Sequence, residues 1–304
     1  MKNERKRPLF RSGIAIGLVC LILGTPSISL GWGAGGHMMV AQIAFSRLNP
    51  KAKAKANALL AIPINPSAVS AQSKDFVNAS HWADDLRPFS EFDSFKMLHF
   101  IDNPFSTDGT TLPTDIPEPD NIVKALEDNL NILKTSTNKN EQAQALRLII
   151  HFVGDIHQPL HAATRVTSDH PDGDRGGNLV SITVPGANGK PKKTNLHSYW
   201  DGGIGSFPPT GANFKPPALS TIPAAAAKAK AGNPASDPDL HLDDQFNFSS
   251  WSDESFALAK DVAYKNLTST PTAAYNKKAL ATARKRVAWG GYRLAALLNA
   301  VWPN

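Results

Sequence analysis

A helix that is apolar almost all round has to be buried, and residues 141–157 read as such a helix. Its core run LRLIIHFVGDI nevertheless carries His151 and Asp155, four residues apart. That spacing puts both side chains on one face of a helix. A buried carboxylate without a partner is costly, and no Lys or Arg lies within the next turn. A divalent metal ion resolves that cost, because one helix face can then supply two ligands. Pro159 ends the helix, so His161 can turn back toward the same place. The segment NLHSYWD repeats the four-residue interval with His197 and Asp201.

The rest of the chain predicts a mainly α protein. Val40, Ile43, Ala44 and Leu48 recur at helical spacing, and Asn49-Pro50 closes that run. Residues 51–61 continue as a second helix, and Ile122, Leu126, Leu130 and Leu133 mark a third. Leu280, Val287, Leu294, Leu298 and Val301 stripe a long C-terminal helix. Residues 179–184 alone read as a strand, in a small hairpin closed near Ala187-Asn188-Gly189. The Pro-, Ala-, Lys- and Gly-rich residues 205–240 read as an irregular surface excursion. No repeat and no second core is apparent, so a single domain over 32–304 is expected.

Residues 1–31 have the layout of a secretory leader: a basic start, an apolar run from Ile14 to Leu23, then small residues. The run is short for a membrane span. Ser29 and Gly31 suit a cut before Trp32. The one cysteine, Cys20, lies inside the leader, so residues 32–304 can form no disulfide. Export without disulfides fits a bacterial periplasmic or secreted protein with no remaining membrane anchor. The net charge of +6 is mostly the leader's; residues 32–304 hold 27 Lys and Arg against 25 Asp and Glu. That balance excludes a polybasic nucleic-acid clamp. Attraction to a phosphate polymer would have to come from bound metal.

Further segments offer ligands. Trp32-Gly33-Ala34-Gly35-Gly36-His37 would stand at a new N-terminus, where an α-amino group and its own carbonyl can chelate. Asp84 in WADDLR and His99 in LHFID add a carboxylate and an imidazole. His81, His170 and His241 read as non-ligands, and His157 with Gln158-Pro159 as shaping a helix end.

Taken in order, W-G-x-x-G-H, W-A-D-x-x-R, H-x-x-D, H-F-x-G-D-x-H-Q-P-L-H, G-G-N and N-L-H-x-x-W-D resemble the S1/P1 nuclease family, relatives of the zinc-dependent bacterial phospholipases C. The resemblance runs from Trp32 to the C-terminal helix. It implies a helical domain of the phospholipase C/P1 nuclease type with three Zn²⁺. By that likeness Asp84, His99, His151 and Asp155 hold one ion; His161, His197 and Asp201 a second; and Trp32, His37 and Asp155 the third. It further implies a hydrolase that cleaves single-stranded DNA and RNA to 5′-phosphates by attack of a zinc-bound hydroxide, and that also acts on 3′-nucleotides. Zinc brings the pKa of bound water to about 7. Asp102, held by Arg87, would orient the attacking water, the alternative being a plain Asp102–Arg87 ion pair; Asn178 would hydrogen-bond a base or phosphate, or serve only as a turn residue. Phe100 would stack a base, or else belong to the core. No protein partner is implied. The alternative is a phospholipase C, but the His197/Asp201 pair and the short gap from Trp32 to His37 favour the nuclease. The family's fungal and plant members use disulfides, which this chain lacks.

Overall fold

The computed structural model describes residues 31–186, 189–211 and 215–304. The leader expected over 1–31 therefore lies outside the described residues except for Gly31, as do Ala187 and Asn188 of the hairpin turn.

The fold is mainly helical. Among the described residues the α-helices are α1 (Ala34–Phe45), α2 (Pro50–Leu60), α3 (Ser67–Gln72), α4 (Trp82–Asp85), α5 (Ile122–Thr135), α6 (Lys139–Asp155), α7 (Leu196–Asp201), α8 (Ile222–Lys230), α9 (Phe248–Leu258) and α10 (Ala273–Val301). Shorter 3-10 segments include Asn78–His81, Ser90–His99 and Pro159–Ala162. None of these helices is long and apolar enough to cross a membrane.

Local sequence signals explain the helix starts. Asn49 caps α2 by accepting from Ala52 N, with Pro50 in the first turn. Asn121 caps α5 the same way, accepting from Val123 N at 3.0 Å. The α5 stripe of Ile122, Leu126, Leu130 and Leu133 is buried, as its period predicts. On α6, every residue from Ala145 to Asp155 is buried. This helix is the centre of the molecule: α5, α2, α10 and α1 all pack on it, and α1 also packs on α10 and α8.

Two departures from the sequence reading stand out. Residues 222–230 are helix within a stretch expected to be irregular. Ile222, Ala226 and Ala229 recur at helical spacing and are buried, and α8 packs on α1 and α10, so the Ala-rich run has a face to bury. The second departure is an extra sheet. Besides the expected antiparallel hairpin of β3 (Ser181–Pro185) and β4 (Pro191–Asn195), β1 (Pro104–Ser106) pairs in parallel with β2 (Thr164–Val166). Strands of three residues carry too little alternation to be read from sequence. The pair matters because it ties the chain just after His99 to the chain just after His161. Thr164 N donates to Asn103 O, and Ile101 N donates to His161 O at 2.8 Å.

The end of α6 is clamped from behind. Glu254 on α9 accepts from Arg286 Nη1 and from Arg293 Nη1 and Nη2, each at 2.6 Å. Both arginines on α10 are about 1% exposed. Arg293 Nη1 meets His157 Nε2 at 3.1 Å, while His157 Nδ1 donates to Val153 O. Burial and the two guanidiniums hold His157 well below its ordinary pKa, so it is a neutral acceptor. Ser255 Oγ donates to Ile156 O. Polar contacts thus fix the turn that immediately follows Asp155.

Candidate metal centre

Asp155, at the C-terminal end of α6, is fully buried and faces imidazoles on every side. Its Oδ2 lies 3.0 Å from His151 Nε2 and 3.0 Å from His99 Nδ1. Its Oδ1 lies 3.2 Å from His37 Nε2, on α1, and 3.9 Å from His161 Nδ1. Asp84 Oδ1, on α4, stands 3.7 Å from His151 Nε2 and 3.9 Å from His99 Nδ1. On α7, His197 Nε2 and Asp201 Oδ1 are 3.4 Å apart, and the His197 ring lies 4.9 Å from that of His161. Three groups have the compactness to hold an ion: His37, His151 and Asp155; Asp84, His99 and His151; and His161, His197 and Asp201. All eight side chains expected as ligands from the sequence are therefore in one place. Next to Trp32, the ninth expected ligand, the chain comes close to the cluster: a Cβ on Gly31 would overlap Asp155 Oδ1 and lie 2.8 Å from His37 Nε2. Only glycine lets the chain approach that closely. Gly33 N donates to Asp201 O at 3.0 Å, holding this segment against α7.

The rings are aimed from behind by backbone carbonyls. His151 Nδ1 donates to Ser80 O, His161 Nδ1 to His99 O and His197 Nδ1 to Gly176 O, at 2.6 to 2.7 Å. Such bonds fix the tautomer and leave Nε2 free for a metal. Gln158 does the same for Asp201, with Nε2 donating to Oδ1 at 2.7 Å, while its own Oε1 accepts from Leu160 N. The sequence reading gave Gln158 only a role in ending the helix, and no signal in the sequence points to the carbonyls.

The charges suit cations. Burial, then the charge of His151, takes His37 down to about 4. Burial likewise lowers His99 and takes His197 well down, so these rings are neutral as ligands must be. Burial opposes a proton on His151, but Asp155 and Asp84 outweigh it and raise that ring to about 9. Burial drives Asp201 well above the carboxylate range. His37 Nε2, Asp155 Oδ1 and His197 Nε2 are buried with no hydrogen-bond partner among the described residues. A metal ion satisfies that combination of buried lone pairs and neutral imidazoles. The donor set, nitrogen with carboxylate oxygen, is one that zinc takes.

Around the ligands, Arg87 Nη2 meets Asp84 Oδ1 at 2.8 Å, so its ion pair is with a candidate ligand. Asp102 is raised to about 7 by burial and by Asp174, with Arg175 opposing. Asn178 Nδ2 donates to Arg175 O and stands 3.2 Å from His197 Nδ1. Its Oδ1 has no partner among the described residues. Phe100 is half-buried and belongs to neither apolar cluster.

The family model for S1/P1 nuclease matches residues 32–303. The chain belongs to the S1/P1 nuclease family. It is thus similar to Nuclease S1 of Aspergillus oryzae, 30% identical over 182 residues, which are 59% of this chain and 56% of that protein. Similarity to Nuclease P1 of Penicillium citrinum is 30% over 174 residues, covering 56% of this chain and 57% of the relative. The matched stretches thus span a little over half the length of these two fungal nucleases. Against Endonuclease 3 of Arabidopsis thaliana the identity is 29% over 287 residues, 90% of each chain. For a member of the S1/P1 nuclease family, a phosphodiester hydrolase, the convergence of imidazoles and carboxylates around Asp155 is the candidate active site.

Proposed function

We propose that this protein is a zinc-dependent nuclease that hydrolyses single-stranded DNA and RNA to 5′-phosphate products and removes the 3′-phosphate of 3′-nucleotides. The observation that carries the reading is the gathering of eight candidate ligand side chains, from segments between His37 and Asp201, the buried carboxylate of Asp155 among them. Asp84, His99, His151 and Asp155 would hold one zinc; His161, His197 and Asp201 a second; His37, Asp155 and the amine and carbonyl of Trp32 a third. Bound zinc supplies Lewis-acid polarisation of a phosphoryl oxygen and water that ionises near neutral pH.

The chain's own groups do the rest. Asp102 accepts a hydrogen bond from the attacking water and orients it. Arg87 balances Asp84, so that this carboxylate stays ionised at the site. Asn178, with a free Oδ1, hydrogen-bonds a base, and Phe100 stacks on one. A flipped, unpaired base can reach these groups, whereas a duplex cannot present one. Cleavage before Trp32 would free the amine that the third ion needs, which suits an exported protein, periplasmic or secreted.

The test incubates the purified protein, starting at Trp32, with single-stranded DNA, a 3′-nucleotide and phosphatidylcholine, each with and without chelator. Chelator-sensitive loss of the first two supports the reading. Loss of the lipid alone would replace it with a phospholipase C.

A further inference from the structure

The loop that holds His197 from behind contains a residue with no evident reason to be large. Arg175, Gly176 and Gly177 have φ of 55°, 59° and 81°, three left-handed residues in succession. Glycine adopts that region freely, whereas a residue with a Cβ rarely does. Gly176 has a reason to be glycine: a Cβ there would overlap Leu160 O and lie 3.1 Å from His197 Nδ1. Arg175 has no comparable packing role. Its side chain is exposed, while the neighbouring Asp174 and Gly176 are buried.

The conformation is imposed from outside. Asp174 Oδ1 accepts from Arg165 N, Gly177 N and Tyr264 OH, at 2.8 to 3.0 Å. Arg175 N donates to Thr164 Oγ1, and Arg175 O accepts from both Asn178 N and Asn178 Nδ2. A residue held in a disfavoured region by its surroundings is a sign of function. Among the described residues no carboxylate pairs with the Arg175 guanidinium. Its charge nevertheless reaches Asp102. Arg87 differs in this respect, since its Nη2 pairs with Asp84.

An exposed guanidinium that pairs with no carboxylate among the described residues thus belongs to the loop whose Gly176 carbonyl orients His197. We infer that Arg175 is a substrate-binding residue that takes the phosphate adjacent to the scissile one, and so makes this protein prefer an oligonucleotide to a substrate with a single phosphate. The inference rests on the nuclease reading above. A guanidinium suits this task, since its planar fork matches phosphate oxygens. The low net charge of residues 32–304 makes each such contact count.

The test compares the unaltered protein, R175G and R175K on octathymidylate and on the dinucleotide TpT, which has one phosphodiester and no neighbour. Glycine suits the backbone angle, so R175G removes the charge without strain; thermal unfolding and zinc content check that the fold and centre are kept. The ratio of kcat/KM for the octamer to that for TpT should fall about tenfold in R175G, through KM, as expected for one charged hydrogen bond. The salt dependence of log kcat/KM on the octamer should become shallower by about 0.7, one phosphate contact's share on a single strand. R175K should recover part of both. Should R175G keep the parent's ratio and salt slope, Arg175 has no such role. A parent protein that cuts neither substrate overturns the nuclease reading itself, and this inference with it.

Discussion

Gln158 Nε2 donates to Asp201 Oδ1 at 2.7 Å, and both side chains are buried. The amide cannot rotate away, because its Oε1 accepts from Leu160 N at 2.6 Å. Gln158 thus fixes the carboxylate that completes the group of His161, His197 and Asp201. Q158A should weaken zinc binding there by about 10- to 100-fold, the usual effect of losing a partner behind a ligand. Titration with a competing chelator would show one of the ions leaving earlier than in the parent protein. Three ions released together, at the parent's chelator concentration, would deny Gln158 this part.

Asp155 touches both neighbouring groups, with Oδ2 toward His151 and His99 and Oδ1 toward His37. Replacing it with asparagine keeps the shape but removes the charge shared between sites. D155N should lose most activity and bind fewer zinc ions per chain than the parent. Elemental analysis of the purified variant decides it, and full zinc with normal turnover would refute the shared role.

Asp102 carries a cost with a definite pH dependence. Its carboxyl is raised from 3.8 to about 7 by burial and by Asp174. The unfolded chain therefore ionises this group first as pH rises. Folding stability is full below the unfolded value, falls between there and about pH 7, and stays reduced above. In the metal-free protein, D102N should remove that loss and raise stability at pH 8 by on the order of 4 kcal/mol, with no gain at pH 4. Activity should drop in the same variant. Thermal unfolding at the two pH values is the measurement, and equal shifts at both would contradict the assignment.

The clamp behind Asp155 depends on a single acid. Glu254 bonds both Arg286 and Arg293, and without it two buried guanidiniums lose their counter-charge. E254Q should destabilise by about 3 kcal/mol, the lower end for breaking a buried pair because Glu254 is partly exposed. A fall in Tm of roughly 5–10 °C corresponds to that for a domain of this size. Burial opposes ionisation of Glu254, but the two arginines outweigh it and lower its pKa. The parent's contribution from this residue is therefore present above the unfolded value and lost as pH falls through the folded one. The difference between parent and E254Q should shrink in acid.

Much of this was legible in the chain itself. The buried helix, read over 141–157 and found at Lys139–Asp155, follows from its all-round apolar composition, and the candidate metal site from the polar residues it carries regardless. The Ile122–Leu133 stripe and the C-terminal helix follow from period alone. What stayed hidden has physical causes. The pairing of Pro104–Ser106 with Thr164–Val166 joins segments about sixty residues apart, and three-residue strands leave no alternation to read. Helix α8 was hidden by the proline- and glycine-rich stretch around it, although Ile222, Ala226 and Ala229 keep a helical interval. Gln158 and Asp174 act through hydrogen bonds whose partners are distant in sequence, and Arg175 through a backbone angle that no residue type announces.

The ligands are spread along the chain, from His37 on α1 to Asp201 on α7, and the clamp behind Asp155 is completed only by α9 and α10. No fragment that stops short of Asp201 therefore carries the whole ligand set. A ribosome that has yet to reach Asp201 holds an incomplete centre. A cell could thus produce a catalyst that degrades nucleic acid without exposing its own messages to it before assembly is complete.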